Sequence, residues 1–217
     1  MKKISIILAI TLVALMAFWF LSRKTEAPIL ETFSEKKSEL IVPKSIKTDY
    51  NIPLSSSEKR ITKKPFGILI NPKTSPIPNE KFSGYHTGID LEIFPEEIDA
   101  NVLVRAICDG EIVQKKKVSG YGGVIIQRCI LNEKKVTVLY GHLKLSDAPA
   151  EVGKTFFLGD ELAILGADNS ADTDGERKHL HLGIKIGDKI DVRGYVSNKN
   201  ELSGWLDPEK IIFPPVL

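Results

Sequence analysis

The sequence predicts a mainly β domain preceded by an N-terminal transmembrane helix and a linker. Three observations carry that reading. From Ile61 onward the chain is built of short apolar runs rich in β-branched residues and punctuated by glycine. Several runs alternate apolar and polar residues, the period of a half-buried strand. No amphipathic segment of helical period extends beyond about two turns. Roughly 155 residues in that texture are enough to bury about two-thirds of the unfolded surface in one domain.

In chain order, residues 1–22 come first. Lys2 and Lys3 precede Ile4–Leu21, an apolar stretch of 18 residues whose only polar members are Ser5 and Thr11. That length meets the lower bound for a helix crossing a hydrocarbon core about 30 Å thick. A cleaved signal peptide usually has a shorter apolar stretch followed by a small-x-small site. The nearest candidate, Thr25-Glu26-Ala27, offers a non-small Thr and is followed by Pro28. A retained anchor is therefore expected, with cleavage as the alternative. Lysines and arginine flank both sides, so orientation is nearly a tie. Either way the chain is exported: anchored in the cytoplasmic membrane with its β domain outside, in the periplasm or at the cell surface, or secreted if cleaved.

Residues 23–60 are expected to be a flexible polar linker. They are rich in Ser, Lys, Glu and Thr, carry Pro28, Pro43 and Pro53, and hold only Phe33 and Tyr50 as aromatics. Such a stretch cannot bury enough apolar surface to order itself; Leu40-Ile41-Val42 is the one place where a docking segment is an alternative. The β domain then occupies residues 61–217. Strands are predicted at Phe66–Ile70, Val102–Ile107, Glu111–Val113, Val124–Cys129, Val136–Tyr140 and Leu180–Ile186. Turns are predicted at Asp109-Gly110, Ser119–Gly123, Gly159-Asp160 and Gly187-Asp188.

All four histidines of the chain fall in short motifs of the β domain: His86 in YHTGID, His142 in VLYGHL, His179 and His181 in KHLHLGI. In the last of these, Leu180, Leu182, Ile184 and Ile186 alternate with His179, His181, Gly183 and Lys185. Both imidazoles therefore share the less apolar face, about 6–7 Å apart along the strand. The same counting sends Val136, Val138, Tyr140 and His142 to one side, with His142 at a strand end, where a side chain can leave the core. His86 and Asp90 would stand about 13 Å apart on a straight strand, too far to share an ion with ligand bonds near 2 Å. An irregular turn at Thr87-Gly88 is therefore predicted, Gly88 permitting the bend.

In this order the motifs HTGID, YGHL and HLH resemble those of the lysostaphin-type (LytM-like) zinc endopeptidases, which cleave peptides of bacterial peptidoglycan. RAICDGEIV, GYGGVIIQ, GDELAILG and WLDPEKII support the resemblance, which runs from about Phe66 to Ile212. It implies an antiparallel β-sheet domain with an open groove, the lysostaphin-like peptidase fold. It further implies that His86, Asp90 and His181 hold one Zn²⁺ per chain and that His142 and His179 are catalytic. The chemistry agrees: two neutral imidazoles and one carboxylate leave zinc a net positive charge and an open fourth position. No HExxH motif supplies a glutamate base, so proton transfer and oxyanion stabilisation fall to His142 and His179, without a division of roles between them. Metal binding and activity are expected to fall below about pH 6 as ligand imidazoles take up protons. One departure is the loop before HLH, where Asp172, Asp174, Glu176 and Arg177 stand in place of small residues. It either borders the groove or is a solvated charged loop.

Other functions fit less well. A net charge of +2 and the lack of basic blocks interleaved with aromatics exclude nucleic acid as the main partner. A lipoyl- or biotinyl-type carrier would need a lysine at a hairpin tip in a Met-Lys or Asp-Lys setting, which is missing. A carbohydrate-binding module would need exposed aromatics beyond Trp205. A catalytically inactive relative, serving as a wall-binding or amidase-activating scaffold, would be expected to lack ligands. The substrate expected is peptidoglycan peptide and the state a monomer. Cys108 and Cys129 lie on neighbouring strands, either paired or as two buried thiols.

Overall fold

A computed structural model gives the fold and describes residues 52–214. The expected membrane helix over residues 1–22 and most of the expected linker lie outside them. Among the described residues no helix is long and apolar enough to cross a membrane.

The end of the expected linker does fall inside, and it differs from the expectation. Leu54, Ser57 and Arg60 are buried. Arg60 lies over the Phe94 ring, 4.0 Å from its centroid. Its guanidinium donates to the Glu97 carboxylate at 2.7 and 2.8 Å and to the Glu92 carbonyl at 3.0 Å. The packed domain thus begins before Ile61. One aliphatic side chain and one cation with buried partners are enough to dock this stretch, and a composition averaged over the whole linker hides them.

Along the chain, β1 (Leu69–Ile70) and β2 (Gly84–His86) are short, and a bend at Thr87 separates β2 from β3 (Gly88–Glu92). After β4 (Leu103–Arg105) come the long strands β5 (Gly110–Val118), β6 (Gly122–Leu131) and β7 (Lys134–Gly141). Next are β8 (Leu143–Lys144), β9 (Thr155–Phe156), β10 (Glu161–Leu165) and the histidine strand β11 (His179–Ile186). β12 (Tyr195–Val196), β13 (Trp205–Leu206) and one short helix, α1 (Pro208–Ile212), follow. The Asp207 side chain caps that helix by accepting from the Glu209 N–H, and Pro208 opens it.

The strands pair antiparallel throughout. The main sheet runs β13-β11-β7-β6-β5-β9, with β3 also paired to β11, and two three-stranded sheets, β1-β2-β12 and β4-β10-β8, flank it. All six predicted strand regions contain strand, and β3 lies where Ile89 and Leu91 begin to alternate. β5 runs through Lys115–Lys117, further than predicted, because its backbone pairs with β6, with Lys116 and Lys117 exposed and the half-buried Lys115 donating to the Ala148 carbonyl. One face of the main sheet buries Ile125, Val138, Tyr140, Leu180, Leu182 and Ile184 against Val104, Leu162 and Leu165. The opposite face carries a smaller cluster of Tyr121, Val124, Ile126 and Leu139, and that face bears the site.

Cys108 and Cys129 form a disulfide. It closes the start of the β5–β6 hairpin, where Gly110 pairs with Cys129. In the chain-entropy account a loop of that size stabilises by roughly 3 kcal/mol.

Candidate metal centre

β11 is the spine of the site. Leu180 and Leu182 point into the core, so His179 and His181 emerge together on the other face, as the alternation predicts. Antiparallel register then sets His181 opposite Asp90 on β3 and opposite Gly141 on β7. The bend at Thr87, where the Thr87 N–H donates to the Gly194 carbonyl, turns His86 back toward Asp90. A shared site is thereby possible for two residues that a straight strand would hold apart. Gly88 is required for a reason other than backbone freedom. A Cβ there would run into the Leu182 carbonyl oxygen and come within 2.9 Å of His181 Nε2.

His142 departs from the counting. Alternation along β7 would send it to the core with Val138 and Tyr140, yet it faces His179, ring centroids 4.2 Å apart. Its φ of 64° is left-handed, an unusual conformation for a bulky residue. That single dihedral reverses the side chain from the core face to the site face.

His86 Nε2, Asp90 Oδ1 and His181 Nδ1 form a triangle with sides of 3.0, 3.1 and 3.2 Å. Outer partners orient both rings. The Pro65 carbonyl lies 3.3 Å from His86 Nδ1, and a carbonyl only accepts, so that nitrogen carries the proton and Nε2 faces inward as a lone pair. Tyr121 Oη lies 3.3 Å from His181 Nε2, placed to accept its proton, which leaves Nδ1 as the inward lone pair. Two lone pairs and a carboxylate oxygen thus converge. Ligands about 2.05 Å from a tetrahedral ion stand about 3.3 Å from one another, so the donor set and its spacing fit zinc. All three residues are buried.

Burial opposes the Asp90 charge, but His179 and His86 outweigh it and hold the carboxyl well below its usual range. Burial lowers the His181 imidazole to about 4, and burial with His179 alongside pushes His142 well below its ordinary value. The sequence expectation of proton competition near pH 6 therefore moves to more acidic pH for His181. His179 Nδ1–H donates to the Arg177 carbonyl at 2.8 Å, so its Nε2 faces the cleft, 3.3 Å from Asp90 Oδ2. His142 Nδ1 is buried without a hydrogen-bond partner among the described residues.

Asp90, His142, His179 and His181 line a cleft of about 280 Å³, with the buried His86 behind them, Tyr121 and Arg177 beside them, and Phe82 and Tyr195 forming an aromatic wall. The wall is stacked, with ring centroids 5.5 Å apart, and Tyr195 lies 5.2 Å from the His86 ring. A larger groove of about 790 Å³ around the disulfide carries no histidine. The five residues singled out from sequence are thus brought together. Sequence reasoning missed Tyr121, Tyr195 and Lys64, which donates to Tyr195 Oη at 2.9 Å. Only Tyr121 left a trace, in the glycine-rich turn GYGG. The charged loop borders the groove: the Gly120 N–H donates to Asp174 at 2.7 Å, and Glu176 and Arg177 face the cleft.

An antiparallel sheet here carries a buried His–Asp–His triangle able to hold a metal ion, beside two further histidines in an open cleft. The model of Peptidase family M23 matches residues 84–192, half of the chain and every one of these five residues. The chain belongs to that family. Among solved structures it is similar to Csd3 of Helicobacter pylori (22% identity, TM-score 0.41, 67% of this chain and 34% of that one). It is also similar to LytU (20%, 0.46, 70% and 90%) and to a zinc-containing peptidase from Vibrio cholerae (18%, 0.40, 63% and 36%). The chain thus spans about a third of the length of Csd3. A comparison with curated protein sequences returns no match.

Proposed function

We propose that this protein is a zinc-dependent endopeptidase that hydrolyses peptide cross-links or stem peptides of bacterial peptidoglycan. The observation that supports this most is the convergence of His86 Nε2, Asp90 Oδ1 and His181 Nδ1 within 3.2 Å, beside His142 and His179 in an open cleft. His86, Asp90 and His181 would hold the metal. Zinc bound there supplies Lewis acidity, polarising the scissile carbonyl and acidifying the attacking water.

The chain's own groups do the rest. His179 Nδ1 is committed to a carbonyl, so Nε2 is the atom that takes the proton from water and later passes it to the leaving amine. His142, kept neutral by burial, donates an N–H to the oxygen on which charge develops. The Phe82–Tyr195 wall and the Glu176–Arg177 loop bound the groove in which the peptide lies. Residues 1–22 are proposed to anchor the domain outside the cytoplasmic membrane.

The test uses the full chain, loaded with zinc, on purified peptidoglycan, with products identified by mass. Wild type is expected to release peptides and His181→Ala none. Equal release by both, or none by the zinc-loaded wild type, overturns the reading; the latter result favours an inactive wall-binding scaffold.

A further inference from the structure

We propose that Arg177 is a positioning residue: it holds Asp90 as a one-oxygen donor and, through its own carbonyl, sets the tautomer of His179. The inference rests on the zinc reading above.

Arg177 enters the site from the loop that precedes β11. Its Nη2 donates to Asp90 Oδ2 at 2.8 Å, and its Nε donates to the two Glu92 carboxylate oxygens at 3.0 and 3.1 Å. Asp90 and Glu92 are two residues apart on β3 and so present their carboxylates on one face. Lys63 also donates to the Glu92 carboxylate, at 3.2 Å. With only 17% of its side chain exposed, the guanidinium is pinned rather than solvated.

The consequence falls on Asp90. Its Oδ1 completes the triangle with His86 and His181, while its Oδ2 is held outside that triangle by a charge-assisted hydrogen bond. With Oδ2 held, the carboxylate cannot rotate to offer both oxygens to one ion, and a coordination position stays open. The planar fork of arginine suits this task. It reaches Asp90 and Glu92 from adjacent nitrogens, whereas a lysine ammonium is a point charge on a flexible stem. The same residue's carbonyl accepts His179 Nδ1–H. One backbone position therefore orients a candidate ligand and the candidate proton acceptor together.

The full chain decides this by zinc titration against a competing chelator, cobalt(II) absorption, and thermal melting of the metal-free protein, for wild type, Arg177→Met and Arg177→Lys. Arg177→Met is expected to weaken zinc binding by about 10–100-fold, the usual effect of losing such an outer contact. Its cobalt bands should lose intensity as Asp90 binds through both oxygens and the coordination number rises. Arg177→Lys should remain weaker than wild type, since it restores the charge without the fork. Metal-free Arg177→Met is expected to melt lower as well, since it leaves the buried Asp90 and Glu92 carboxylates without their cation. Affinities are therefore compared at a temperature where every metal-free variant is folded. Wild-type zinc affinity and an unchanged cobalt spectrum in Arg177→Met overturn the proposal, as does weakened binding to the folded variant with an unchanged cobalt spectrum. If Arg177→Met does not fold, Arg177→Lys decides: wild-type affinity and spectrum overturn it, and weaker binding with an altered spectrum supports it. A wild-type chain that binds no zinc at all sinks the proposed function instead.

Discussion

A single dihedral puts His142 where it is. Its left-handed φ turns the imidazole from the core to the cleft, and asparagine, which tolerates that conformation, is the substitution that tests the side chain without straining the backbone. His142→Asn and His179→Ala are each expected to slow hydrolysis by roughly 10²–10⁴-fold while one zinc per chain remains bound. Metal analysis alongside product release checks this, and loss of the metal in either variant would place that histidine among the ligands. Gly88 gives the opposite case, a residue defined by what it leaves out. In Gly88→Ala the new methyl meets the Leu182 carbonyl and the His181 ring. The strands must part, so a loss of about 1–3 kcal/mol in stability is expected, together with weaker zinc binding, measured by urea unfolding and chelator competition. Both positions could be singled out from sequence, but their physical reasons could not: a φ angle and a cross-strand approach are properties of the folded backbone.

At the scale of elements, β11 was the most legible. Strict alternation over eight residues assigns its histidines to one face and its leucines to the other, because side-chain direction in a strand follows sequence parity. The short strands β2, β8, β9, β10, β12 and β13 were not predicted. Most are two or three residues long and exist because a neighbour supplies hydrogen bonds, which no local pattern records. The β5–β6 hairpin lies between these cases. Its turn and strands were legible, whereas the pairing of Cys108 with Cys129 depended on register. The double substitution Cys108→Ala, Cys129→Ala is expected to reduce stability by about 2–4 kcal/mol and to leave zinc binding unchanged, since the bridge lies outside the site cleft. Urea unfolding with a zinc titration measures both; a drop in zinc affinity would show that the hairpin supports the site.

For the whole molecule the site carries a stability cost that pH exposes. Burial lowers His181 to about 4 and His142 well below its ordinary value, while in the unfolded chain both titrate near 6.5. Below about pH 6.5 the unfolded state therefore takes up protons that the folded, metal-free state refuses. Stability rises with pH through that window and falls as pH drops from about 6.5 toward 4. The metal-free protein is expected to melt several degrees lower at pH 4.5 than at pH 7. Saturating zinc should raise the melting temperature at pH 7, because it binds the folded state, and by less at pH 4.5, where protons compete for the ligands. A melting temperature independent of pH over this range would mean that the histidines are not held neutral by the fold.

By itself the sequence determined the β class, the family resemblance and the five residues of the candidate centre, because strand parity and motif identity are local and survive without coordinates. Tertiary structure decided how they meet. Register set His181 against Asp90, the bend at Thr87 returned His86 to them, and a positive φ swung His142 across the sheet. It also decided that Arg177 is pinned between Asp90 and Glu92 rather than solvated, and that the packed domain begins before Ile61. These are contacts between segments as much as 95 residues apart, which only the folded backbone brings within hydrogen-bonding distance.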